Sequence, residues 1–91
     1  MNQEEAQALF EKFAAPLAPY AALKEAAEGL ARSLWLAMVA GPAIEEEVWK
    51  GLKDSADWGE DLIEAIKECY EKKMKPVVNR EQLAALRHLY G

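Results

Sequence analysis

The two residue types that most often build catalytic and metal centres are almost missing from this 91-residue chain, which holds one cysteine, Cys69, and one histidine, His88. A lone cysteine excludes an internal disulfide and a cysteine-built zinc site, and a lone histidine supplies no second imidazole for a mixed one. Gly29, Gly41, Gly51, Gly59 and Gly91 stand apart from one another, so no glycine loop of the kind that cradles phosphate is present. Strand signals are missing too: Val77-Val78 is the one β-branched pair, and it follows Pro76 in what reads as a connection. Base is also short, with 11 Lys and Arg against 16 Asp and Glu, a net charge of −5 that argues against direct nucleic-acid binding. No uncharged run approaches the ~20 residues of a membrane span. The opening Met1-Asn-Gln-Glu-Glu has neither a basic n-region nor an apolar h-region, which predicts a cytoplasmic protein.

With 52% apolar and 30% charged residues, the composition suits a soluble globular chain. We expect a single domain over residues 1–91, burying roughly 60% of the surface its unfolded form exposes. The charge is uneven. Residues 1–71 hold 15 acids and 6 bases, whereas residues 72–91 hold Lys72, Lys73, Lys75, Arg80 and Arg87 against Glu81 alone. Lys72, Lys73 and Lys75 suit the negative end of a helix, and Glu45 to Glu47 suit the positive start of another.

The hydrophobic spacing predicts an all-α fold, a compact bundle of about five short helices. The first spans about residues 3–14, with Asn2 and Glu5 in capping-box positions and Ala6, Leu9, Phe10, Phe13 and Leu17 on one face. Pro16 and Pro19 break the chain, and Pro19 suits the first position of a second helix over about residues 19–40. That helix carries large Tyr20, Leu23, Leu30, Leu34 and Met38 beside small Ala22, Ala26, Gly29, Ser33, Ala37 and Ala40, which would let another helix approach closely. Its charged sector of Lys24, Glu25, Glu28 and Arg32 gives way to Trp35 and Val39 in the last turns. From Ser33 to Ile44 no residue is charged, so this end needs covering on all sides, either by the first or fifth helix or by a partner.

Gly41-Pro42 ends the second helix and opens a third over about residues 42–54, with Ile44, Val48 and Leu52 as its stripe, Trp49 at the edge and Glu46 paired with Lys50. Asp57 and Glu60 repeat the capping spacing before a fourth helix over about residues 58–75. It sets Trp58, Leu62, Ile63, Ile66, Cys69, Tyr70 and Met74 against Glu60, Asp61, Glu64, Lys67, Glu68, Glu71 and Lys75. Asn79 caps a fifth helix reaching about residue 90, with Leu83, Leu86, Leu89 and Tyr90 inward.

No catalytic constellation follows, and the chain reads as a non-enzyme that needs no cofactor and no metal. Cys69 lies mid-helix on the apolar side, away from any activating base, and reads as an inert core thiol. His88 reads as a solvated surface residue. A helix-turn-helix reader is disfavoured because its recognition helix would open with Asp57, Glu60 and Asp61, which repel phosphate. The expected function is that of a protein–protein interaction or regulatory module, homo-oligomeric or with another protein as partner. Trp35, Val39 and Trp49 are the candidate partner-binding residues, because edge tryptophans often anchor interfaces. Replacing Trp35 by alanine should then weaken association more than folding. The alternative is an acidic mimic of nucleic acid that inhibits a nucleic-acid-binding enzyme, using Glu45 to Glu47 and the row Glu60, Asp61, Glu64, Glu68 and Glu71.

Overall fold

The computed structural model describes residues 1–20, 27–55 and 58–90, and the side chains of all these except 27 and 28. Among them lie five α-helices and no strand: α1 (Gln3–Ala14), α2 (Ala27–Ala40), α3 (Pro42–Asp54), α4 (Glu60–Cys69) and α5 (Arg80–Tyr90). The radius of gyration is 13.0 Å, close to the roughly 12 Å of a single compact body of this length.

Local chemistry accounts for most of the ends. Asn2 caps α1, its Oδ1 accepting the Glu5 N–H at 2.8 Å. Asn79 and Gln82 form a reciprocal box at α5: the Gln82 N–H donates to Asn79 Oδ1 at 2.8 Å and the Asn79 N–H donates to Gln82 Oε1 at 3.0 Å. Between α2 and α3 the chain reverses at Gly41, whose φ of +122° with ψ of 179° is open only to glycine. Its N–H closes on the Ala37 carbonyl at 2.8 Å, and Pro42 starts α3 directly. The expected start of the second helix, with Ala22, Leu23, Lys24, Glu25 and Ala26, lies outside the described residues, as does Asp57.

Six expectations need correction. Helix α4 begins at Glu60 with Gly59 as its N-cap, two residues later than the spacing suggested. It also stops being α-helical at Cys69: Tyr70–Met74 forms a π-helical turn and Lys75–Val77 a 3₁₀ turn. Pro76 supplies the reason, since it has no N–H for the ladder and its ring would strike the carbonyl four residues before it. In α3 the buried face is turned toward Trp49, which is 6% exposed, leaving Ile44 at 46%. Tyr90, expected inward, is exposed. Glu46 and Lys50 form no ion pair among the described residues, whose pairs are Lys72–Glu68, Lys75–Glu45 and Lys75–Glu71. The small residues of α2 do not form a close seam throughout: a Cβ at Gly29 would meet nothing within 4 Å.

The core joins all five helices. Phe13, Leu34, Ile63, Ile66, Tyr70, Met74 and Leu86 are its most enclosed large side chains, and each exposes under 2% of its surface. None of the described helices is long and apolar enough to cross a membrane.

Candidate functional site

The uncharged end of α2 is covered from within the chain on all sides but one. Leu34, Trp35, Ala37, Met38 and Val39 are buried, and Leu36 stands 55% exposed. At 3.6 residues per turn, Leu36 falls with Gly29, Arg32, Ser33 and Ala40 inside about 100° of arc, and all five are exposed. Leu36 is therefore the apolar intruder on the solvent face. Trp35 and Val39 border that face and are covered by α1 and α5.

Trp35 meets Phe10 and Phe13 of α1 edge-on, with ring centroids 5.5 and 5.2 Å away. Its Nε1–H donates to the Tyr90 hydroxyl of α5 at 3.1 Å. Arg87, also on α5, donates its Nε–H to the Val39 carbonyl at 2.9 Å. That carbonyl lies in the last turn of α2, where the ladder leaves acceptors unmet and a cation is favoured. Two hydrogen bonds thus fasten α5 to the end of α2.

Between these contacts lies a cleft of about 250 Å³, with Phe10 and Trp35 as its floor, Leu36 and Tyr90 on its rim, and Gln3 and Gln7 along the α1 side. Leu36 and Tyr90 also border a second hollow, shared with Val39, Ala40 and Arg87. No Asp or Glu among the described residues lines either one. The Arg32 guanidinium lies over the Phe10 ring, 5.4 Å from its centroid.

Of the three residues singled out from the sequence, Trp35 forms the buried floor of the cleft and Val39, also buried, borders the second hollow. Trp49 lies apart, stacked edge-on against Tyr70 at 5.7 Å. The rim residues Leu36 and Tyr90 escaped the sequence reading. A wheel of α2 that included Gly29, Ser33 and Ala40 in the polar sector would have exposed Leu36 as the odd residue.

A second polar cluster ties the π-helical turn to α3. Tyr70, fully buried, donates its hydroxyl to Glu45 Oε2 in the first turn of α3. Lys75 reaches the same oxygen at 3.2 Å and Glu71 at 3.6 Å, and its ammonium lies 5.4 Å from the Tyr70 ring centroid. Burial above all, then the hydrogen bond to Glu45 and the charges of Glu45 and Glu71, push the Tyr70 phenol well above its ordinary range. Because the folded state holds this phenol neutral while the unfolded chain ionises it near its usual value of about 10, stability is full below about pH 10 and declines as pH rises beyond it. Urea midpoints measured from pH 8 to 12 should fall over the alkaline half for the wild type and less steeply for Tyr70→Phe; parallel curves would remove Tyr70 as the cause.

The remaining candidates have ordinary surroundings. Cys69 is buried, donates weakly to the Pro16 carbonyl at 3.5 Å, and its thiol is raised by burial, opposed by Lys73. In the acidic row, Glu68 is paired with Lys72 at 2.7 Å and its carboxyl is lowered by that bond. Compared with known protein families, with curated proteins and with solved structures, the chain matches none.

Proposed function

We propose that this protein acts in the cytoplasm as a binding module for another protein, and that the cleft between α1, α2 and α5 is its contact surface. One observation carries the reading: Leu36 and Tyr90, two large apolar side chains at 55% and 51% exposure, stand together over a floor of Phe10 and Trp35. Large apolar side chains grouped over a preformed concavity are the usual anatomy of a recognition site, with the surrounding polar groups setting orientation. The lone buried cysteine suits a reducing compartment. The acidic-mimic reading has less support, because Glu68, Glu71 and Glu45 are engaged by Lys72 and Lys75.

Random peptides displayed on phage and selected against the purified protein should converge on segments bearing a large apolar residue. Leu36→Glu should weaken the selected peptides at least tenfold. Its melting temperature should stay within a few degrees of the wild type, since exposed positions away from special contacts rarely change stability by more than about 0.5 kcal/mol. Selection without convergence, or peptides indifferent to Leu36→Glu, would remove the cleft from consideration.

A further inference from the structure

We propose that a second copy of this chain occupies the cleft, inserting Ile44 of α3 between Leu36 and Tyr90. This rests on the reading of the cleft as a binding surface and adds the identity of what fills it.

The choice follows from what else the surface offers. Among the described residues the exposed large hydrophobics are Met1, Leu36, Ile44 and Tyr90. Leu36 and Tyr90 belong to the cleft, and Met1 lies outside the helices, ahead of α1. Ile44 stands on the first turn of a helix with Glu47 one turn on along the same face, while Glu46 lies about 200° round the helix on the other side. Both glutamates are exposed and neither has an ion-pair partner among the described residues. Glu45, the remaining acid of that turn, is drawn inward by Tyr70 and Lys75. The turn is thereby fixed with an apolar knob and the Glu47 carboxylate facing out on one side.

The cleft is the complement of that knob. In a chain with 16 acids, its described lining holds no carboxylate; its polar groups are Gln3, Gln7, Arg32 and the Tyr90 hydroxyl, and Arg87 lines the hollow beside it. A dry cavity of about 150 Å³ accepts benzene, so 250 Å³ admits the branched four-carbon side chain of isoleucine. The exposed acids of α4 do not compete, since Ile63 and Ile66 are at most 1% exposed and Leu62 is partly buried against the core, so that helix supplies no exposed knob. Opposed charges at the rim would set register and encounter rate, with apolar burial supplying the affinity. The contact joins two different surfaces, so it is heterologous and each copy can both give and receive.

Crossed variants test this directly. Light scattering on the wild type should show a molar mass that rises with concentration. Ile44→Asp keeps an intact cleft without a knob and Leu36→Glu keeps a knob without a cleft, so each alone should need at least tenfold higher concentration to associate. Mixed in equal amounts they should form pairs and nothing larger, because only one productive contact remains. Should Leu36→Glu fail to fold, Leu36→Gln takes its place. A mixture no heavier than either variant alone would overturn the proposal in favour of a surface that pairs with itself. A wild type that is monomeric at every concentration, yet still binds the selected peptides through Leu36, would overturn the second copy as occupant and leave the cleft as a site for another protein. Loss of both self-association and peptide binding would remove both readings.

Discussion

Trp35→Ala is expected to lower stability by about 3–5 kcal/mol, the range for truncating an enclosed tryptophan. At about 4–8 °C per kcal/mol for a domain of this size, the melting temperature should fall by at least about 12 °C. The indole is 4% exposed and edge-on to both Phe10 and Phe13, so its removal opens a void bounded by α1 and α2. It also releases the Tyr90 hydroxyl, one of the two hydrogen bonds that hold α5 to the end of α2. Trp35→Phe separates these effects, since a phenyl ring retains much of the packing while the Nε1–H is lost. Its cost should be less than half that of alanine. The sequence suggested the opposite ranking, with association suffering more than folding, because helical spacing cannot say whether a neighbouring helix covers an apolar edge. A melting temperature lowered by only a few degrees, with partner binding abolished, would return Trp35 to the surface.

Tyr70→Ala should be comparably severe, again about 3–5 kcal/mol from packing alone. The ring is fully enclosed, edge-on to Phe13 at 6.1 Å and to Trp49 at 5.7 Å, and so joins α1 to α3 through the turn that follows α4. Truncation would also strand Glu45, whose side chain is 13% exposed, with Lys75 as its remaining partner. Against a total stability of about 5–15 kcal/mol typical of such domains, that loss takes at least roughly a fifth of the whole. Tyr70→Phe isolates the hydroxyl and should cost about 1–3 kcal/mol, the range for a buried hydrogen bond to a charged group. Urea unfolding followed by circular dichroism gives both values. Equal losses for phenylalanine and alanine would mean that the bond to Glu45, and not the ring, holds the turn.

Period and capping signals carried most of the fold. The α1 face of Ala6, Leu9, Phe10 and Phe13, the caps at Asn2 and Asn79, and the Gly41-Pro42 reversal all stand as the spacing suggested. These are local effects, decided within one or two turns of chain. What escaped depends on which helix lies beside which. The rotation of α3 that buries Trp49 and exposes Ile44 follows from Tyr70 and Lys75 pulling Glu45 inward, a contact across 25 residues or more of sequence. The π-helical turn had its signal in Pro76, whose effect on the preceding carbonyls can be read from sequence, though the shape the chain adopts in response cannot. At the candidate site, Trp35 and Val39 stood out in the sequence because they are large and misplaced in a charged sector, and the structure buries both. Leu36 was missed because its neighbours on the wheel are small rather than charged.

Gly41 sits between the helix that carries the cleft and the helix that carries the knob. Its left-handed torsion sets the angle at which α3 leaves α2, and so where Ile44 stands relative to the cleft of the same molecule. In a string of molecules joined knob to cleft, that same angle would recur at every junction. The pitch of such a fibre, or the number of members in a closed ring, would thus be written into the backbone of one glycine.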